Sequence, residues 1–399
     1  MISLAEARAL IAAHLRPLAA ESQPLEALRG RVVNREIISP EDMPAFDRSA
    51  MDGYAVGLDD ISDRFRVVGE IPAGAESSVV LKTGECARIF TGAALPAGAS
   101  QVIMQEQAQR DSEWMIPTRR DRRPNIRWRG EDAKAGSVVI PAGCLVGAGE
   151  LALMAQMGVV AAEVVQSPRI AHFATGHELV DPSVTAGPGQ IRDSNSTLIR
   201  ALCAEMNLAL ATQERCIDDA EQLVRRIDAA NEKGFDLLLI SGGASVGDHD
   251  HGARVLERLG FAPHFRRLSL KPGKPLIFAT RGEQAAFVIP GNPVSHFVCF
   301  HVAIRGALER MGGREPGWPL ITAQIDCEIE SSSDPRELYW PASATAREGR
   351  LGVAPIAWKS SGDSTSLVGV NALIQRLPGS PSIVRGERVS CLLLRGLDS

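Results

Sequence analysis

The sequence predicts a multidomain α/β protein: a doubly wound domain with a β-rich inserted domain, a helical N-terminal segment and a small C-terminal β domain. Three apolar runs between residues 236 and 295 carry the α/β reading. Asp236–Ile240 stops at the turn Ser241–Asp250, Phe265–Leu270 at Lys271-Pro272-Gly273-Lys274-Pro275, and Ala285–Ile289 at Pro290–Ser295. Short apolar runs between helical patterns read as buried parallel strands. Their glycine-bearing turns then fall at the carboxyl ends of the strands, where open α/β sheets bind ligands.

The N-terminal helix is predicted over residues 3 to about 20. Ser3 and Glu6 have capping-box spacing, and Leu4, Ala7, Leu10, Ile11, Leu15 and Leu18 form an apolar stripe read as core or dimer interface. A second helical pattern lies near Glu150–Met157. Between them, Phe65–Val68, Cys86–Phe90, Gln101–Met104 and Ser137–Ile140 read as strands, which makes the intervening segment a β-rich insertion.

From about residue 168 the rhythm is β-α-β. Strands are expected at Ile170–Phe173 and Leu208–Thr212. A helix is expected over Thr197–Glu205 with Ser194 or Asn195 as cap, another through Leu223, Arg226, Ile227 and Ala230, and a last one over Pro293–Met311. Gly312-Gly313 with Pro316-Gly317 marks a boundary, and Leu320–Ile325 and Val389–Leu394 begin and end a small β domain.

Composition narrows the function. A net charge of −5 and an aromatic content of 5% argue against a nucleic-acid binder. The seven cysteines never form a Cys-x-x-Cys pair, which suits reduced thiols in a cytoplasmic protein. No apolar segment reads as a signal peptide or a membrane span. A Walker A sequence is absent, and His249-Asp250-His251 lacks the further ligands of a zinc site. What remains is a phosphate-bearing small molecule handled with a metal. Glycines permit close backbone approach, Lys271 and Lys274 add positive charge, and Asp248 and Asp250 suit a hard cation.

Several turns in fixed order sharpen this reading. They are Pro44–Val56, Arg88–Ala93 with Leu95–Gly98, Asn125–Arg127 with Gly130–Asp132, Ala174–Leu179, Gly189–Asn195, and the three turns above. Together they resemble the molybdopterin molybdenumtransferase family, the MoeA-like proteins that include the gephyrin E domain. The resemblance implies domain I from residues 1–43 plus 146–167 (helical, dimer-forming), domain II at 44–145 (β-rich), domain III at 168–315 (molybdopterin-binding α/β) and domain IV at 316–399 (β). It also implies a homodimer that inserts molybdenum from molybdate into adenylylated molybdopterin with Mg²⁺ and releases AMP. Contact with the adenylylating enzyme and with recipient molybdoenzymes is part of the same expectation.

Carried residue by residue, the resemblance implies catalytic carboxylates at Asp52, Asp132, Glu178 and Asp250, with Glu178 and Asp250 holding the metal. The implied substrate contacts are Thr175, Gly176, Ser241, Gly242, Gly243, Ser245, Lys271, Lys274, Pro290, Gly291 and Asn292. Ser100, His177 and Trp340 depart from the family pattern, the first two where an acid is usual and the third where a base is. The departures at His177 and Trp340 keep open a non-catalytic pterin-binding scaffold, and the resemblance of the α/β domain to a related family keeps open a molybdopterin adenylyltransferase.

Overall fold

The computed structural model describes residues 1–57, 59–75, 78–120, 123–243, 251–347 and 349–395, without the side chain of Arg347. The chain divides into two compact units. One comprises Met1–Gln23, Leu28–Asn34 and Glu163–Ser399, the other Pro24–Ala27 and Arg35–Ala162.

The second unit is built on a six-stranded sheet in the order Gln101–Met104, Gly53–Val56, Glu85–Ile89, Phe65–Ile71, Trp114–Pro117 and Ala108–Asp111. Alternation along its strands fills two apolar clusters: Ala55, Ala87 and Val102 join one, while Tyr54, Cys86 and Ile103 join the other. The expected insertion is therefore a two-faced sheet. Its helix, Ala148–Gln156, begins at Gly147, whose N–H donates to the Glu150 carboxylate at 2.8 Å.

In the first unit, the N-terminal helix runs only from Leu4 to His14. Ser3 and Glu6 form the reciprocal cap that their spacing predicts. The helix stops short of residue 20 because Pro17 disfavours helical backbone at Arg16. The Arg16 guanidinium then donates to the carbonyls of Ala13 and Leu15, both at 2.9 Å. Leu15 stays buried in the core and Leu18 packs against it, outside the helix.

The α/β sheet has the order Leu210–Cys216, Ile170–Thr175, Leu237–Ser241, Gln284–Ile289, Ile277–Arg281 and Ala262–Phe265. The first four strands are parallel and the last two antiparallel. Period-two alternation places Leu237 and Leu239 on one face, under the Asn195–Glu205 and Pro293–Cys299 helices. Leu238 and Ile240 lie on the other, under Ala220–Lys233 and His251–Arg258. Each such buried Leu or Ile side chain contributes about 1.5–3 kcal/mol. The last helical stretch continues through a π-helical segment, Phe300–Ile304, to Arg305–Met311. Because the second strand in sequence lies outside the first, and the third on its other side, the strand order reverses beside Ile170–Thr175.

Three further expectations need correction. Phe265–Leu270 is not a parallel strand of this sheet: Ala262–Phe265 is its antiparallel edge, and Leu270–Lys271 leaves to pair with Glu337 and Leu338. The polar residues Arg266, Arg267 and Ser269 make the run amphipathic rather than doubly buried. Second, Leu208–Thr212 is shifted, the strand being Leu210–Cys216. Third, Ser194 holds the cap position of the next helix, but its side chain makes no capping hydrogen bond. The Asp193 carboxylate caps instead, accepting from the Ser196 N–H at 3.0 Å and its hydroxyl at 2.5 Å.

The C-terminal strands close on themselves. Glu337–Arg347 pairs with Arg350–Pro355, which is followed by Leu320–Ile325, Arg388–Leu393 and Ala372–Arg376, and the last returns to Glu337–Arg347. Leu270–Lys271 is grafted on this small barrel as a sixth strand. Among the described residues, no helix is long and apolar enough to cross a membrane.

Candidate functional site

Two cavities of the first unit receive most of the predicted site residues. One, of about 720 Å³, lies beyond the carboxyl ends of the parallel strands. Thr175, Gly176 and Glu178 contribute from the first strand, Ser241, Gly242 and Gly243 from the third, and Pro290, Gly291 and Asn292 from the fourth. This is the topological switch point, where the strand order reverses.

Glycine shapes this edge for steric reasons. A Cβ on Gly242, at φ +99°, would lie 2.5 Å from the Thr175 carbonyl oxygen, so the turn closes only without a side chain. A Cβ on Gly176 would meet both Glu178 carboxylate oxygens at 2.8 Å, so the carboxylate folds back over the turn. The amides divide into two sets. Gly242 N–H already donates to Ile289 O at 3.0 Å and Gly176 N–H to Cys216 O at 3.3 Å. The N–H groups of Gly243, Gly291 and Asn292 have no acceptor among the described residues.

The side chains here are oxygen-rich. Glu178 and Asp218 line the cavity and have no ion-pair or hydrogen-bond partner for their carboxylates among the described residues. Asn195, which helical capping logic noticed only as a cap, points its amide group at Gly291, donating to the carbonyl at 2.7 Å. Its Oδ1 is buried and has no donor among the described residues. Ser245 and Asp250 lie outside the described residues, as do Asp248 and His249.

The second cavity, of about 850 Å³, opens between the Lys271–Pro275 turn and the C-terminal barrel. Lys271, Lys274, Arg336, Lys359 and Arg376 line it, with Trp340 and Trp358 among its apolar walls. Lys271 Nζ lies 3.0 Å from Asp334 and Arg336 Nη2 lies 2.8 Å from the same oxygen. Those two cations, Arg336 first, hold the Asp334 carboxyl well below the usual carboxylate range. Lys274 has no carboxylate within ion-pair distance among the described residues. The two cavities share Pro275, Pro290 and Asn292 as a common wall.

The structure thus separates the predicted phosphate-binding turns, with the lysines on one side of that wall and the glycine turns on the other. Sequence reasoning missed Asp218, Arg336, Lys359, Arg376 and Trp358. Only Trp340 carried a signal, as a departure from the family pattern. Its indole N–H donates to Ile356 O at 2.8 Å, so the ring is fixed as wall.

Asp52 and Asp132 belong to the second unit. Asp52 accepts from the N–H and hydroxyl of Thr91, both at 2.7 Å, and the backbone donor chiefly keeps its carboxyl below the ordinary range. Asp132 takes Arg127 Nη2 on both oxygens, at 2.6 Å each. His177 is exposed beside Glu178, and it brings no second carboxylate to the turn.

Comparison with known proteins places the chain among relatives along most of its length. A model of the MoeA N-terminal region (domain I and II) matches residues 2–158, and one described as "Probable molybdopterin binding domain" matches residues 171–310. The molybdopterin molybdenumtransferase of a Nostoc species is 33% identical over 383 residues, covering 93% of this chain and 88% of the relative. That of Bacillus subtilis is 30% identical, covering 93% and 89%. The crystal structure of a molybdopterin biosynthesis moeA protein from Pyrococcus horikoshii has a TM-score of 0.81 at 27% identity, covering 98% of this chain and all of that one. With such identity sustained over nearly its whole length, the chain belongs to the molybdopterin molybdenumtransferase family.

Proposed function

We propose that the chain transfers molybdenum from molybdate into adenylylated molybdopterin, with Mg²⁺, and releases AMP. The observation that carries this reading is the pair of adjoining cavities, one offering backbone amides and carboxylates without a partner among the described residues, the other lysine and arginine. A pyrophosphate-linked substrate needs donors for its phosphate oxygens, and an oxyanion co-substrate needs positive charge beside it. The shared wall puts those two requirements side by side.

Within this reading, the N–H groups of Gly243, Gly291 and Asn292, without an acceptor among the described residues, donate to phosphate oxygens. Lys271 and Lys274 attract the oxyanion, Lys271 from an orientation fixed by Asp334. Asn195 Oδ1 accepts from an amino group of the substrate's ring system. Hard divalent cations take oxygen donors, and Mg²⁺ is commonly held through one or two carboxylates with the rest from phosphate and water. The carboxylates of Glu178 and Asp218, which have no partner among the described residues, fit that requirement, and Asp250 belongs with them by its motif. When bound, the cation neutralises charge that builds up on the phosphate oxygens. Asp52 and Asp132 enter as catalytic carboxylates on motif position alone, since their oxygens already serve Thr91 and Arg127.

The test follows AMP release from adenylylated molybdopterin in the presence of Mg²⁺, with and without molybdate. Molybdate-dependent release, reduced on the order of 10²-fold in Glu178→Gln, is expected. Tight binding of the adduct with no release of AMP on adding molybdate would overturn the reading.

A further inference from the structure

His172 is an anomaly of the sheet. It shares a face with Ile170 in a central parallel strand, is fully buried, and no turn motif includes it. Its hydrogen bonds nevertheless run in one direction, from the surface to the sheet-edge cavity.

The chain starts at Arg200, whose guanidinium donates to Gln213 Oε1 from Nε at 3.0 Å and also from Nη2. Arginine carries donors only, so the oxygen of the Gln213 amide must be the atom that faces it. The amide nitrogen then faces the Ser196 carbonyl at 2.9 Å and His172 Nδ1 at 3.0 Å. A flipped amide would set donor against donor at Arg200 and oxygen against oxygen at Ser196. One Gln213 proton goes to Ser196, and the other goes to His172 Nδ1, which must accept.

A neutral imidazole has one N–H. Burial disfavours the charged ring, lowering its pKa to about 3, and the neighbouring His296 and Arg200 act in the same direction. With Nδ1 accepting, the proton sits on Nε2, 2.7 Å from Ser241 Oγ. Ser241 therefore accepts from His172, and its own proton must go elsewhere. Among the described residues no acceptor for it exists, while Ser241 lines the cavity.

We infer that Arg200, Gln213 and His172 form a fixed hydrogen-bond relay that makes the Ser241 hydroxyl a donor to an anionic oxygen in the sheet-edge cavity. The three act through Ser241 as positioning residues. The inference rests on the reading of this cavity as the site of the substrate's phosphate groups. It adds a polarity: at this point the wall favours an acceptor such as a phosphate oxygen over an amino group.

Two measurements on the full chain test it, with AMP as the probe. Nitrogen-15 NMR of labelled histidine should find His172 as the Nε2–H tautomer from pH 5 to 9, assigned by its loss in a His172→Gln variant. In Gln213→Glu, an acceptor faces Nδ1, so the proton should move there and AMP affinity should fall about tenfold, the scale of one hydrogen bond to a charged group. Ser241→Ala should lose about as much. Because both act through one hydroxyl, the double variant should bind AMP no worse than Ser241→Ala, a non-additivity that general damage to the fold would not produce.

An Nδ1–H tautomer in the unaltered protein, or additive losses in the double variant, would overturn the relay. If AMP binds but ignores Ser241→Ala while the Nε2–H tautomer holds, the hydroxyl has a donor's geometry but no ligand, and the inference falls while the cavity reading stands. Failure of the unaltered protein to bind AMP would remove the cavity reading itself, and the inference with it.

Discussion

The two cavities are made differently. The sheet-edge cavity is assembled from turns that each follow a strand of one parallel sheet, so its shape is set by local backbone geometry. The barrel-side cavity depends on Leu270–Lys271 leaving the α/β sheet to pair with Glu337 and Leu338. Two of its charges, Lys271 and Arg336, sit on partly exposed side chains held by ion pairs to Asp334. One site is specified by sterics at glycine, the other by electrostatics across a long-range strand pairing. Substitutions at the first should therefore damage folding and binding together, whereas those at the second should separate them.

The largest effect is expected at Gly242. Alanine there meets the Thr175 carbonyl at 2.5 Å in a left-handed backbone conformation, a combination of strain and overpacking that costs about 2–5 kcal/mol. Gly189 is the control: its φ is +77°, but a Cβ would meet nothing within 4 Å. Gly189→Ala should cost only about 1 kcal/mol, from backbone strain alone. Urea unfolding of the two variants compares them directly. Equal losses would mean that close approach at Thr175 does not set the shape of the edge.

The same contrast explains what was legible in the sequence. The continuous apolar runs Leu237–Ile240 and Ala285–Ile289, and the turns after them, are local patterns, so the sheet and its edge follow from them. Strand exchange is not local. Nothing between Phe265 and Leu270 announces a partner nearly seventy positions on, and the lysine turn was accordingly set at the wrong sheet. Capping by Asp193 rather than Ser194 lies within the error of any pattern that sees residue types but not φ and ψ. The split between free and occupied amides at the glycine turns was also invisible, because it depends on what the neighbouring strands present. His172 hid for another reason, since a single polar residue in a buried strand reads as core until its partners are known.

Asp334 should show an intermediate effect. It joins Lys271 on the grafted strand to Arg336 at the start of the barrel, so Asp334→Asn should lower stability at neutral pH by about 1 kcal/mol. The sign with pH is fixed by the depressed carboxyl. Its stabilisation is fully present above the ordinary carboxylate range and is lost as pH falls below that range toward the lowered value. The difference between Asp334→Asn and the unaltered protein should therefore shrink on acidification through and below that range. A difference that grows in acid would show that the ion pairs do not hold Lys271 in place.

Lys274 should show the smallest effect on stability and the cleanest separation of binding from folding. It shares the turn with Lys271 and lines the same cavity, but among the described residues no carboxylate fixes its ammonium group. Replacing it with methionine keeps the length and apolar stem and removes the charge. Stability should change by no more than about 0.5 kcal/mol, as for a surface residue without a special role. Molybdate binding, followed by titration calorimetry, should weaken by about five- to tenfold, with the loss diminishing at high salt as an exposed charge interaction requires. Unchanged molybdate binding in Lys274→Met would leave Lys271, Lys359 and the arginines as the effective charges among the cavity's described residues. It would also make the strand pairing at Leu270–Lys271, rather than the lysine turn as a whole, the element that delivers charge to the site.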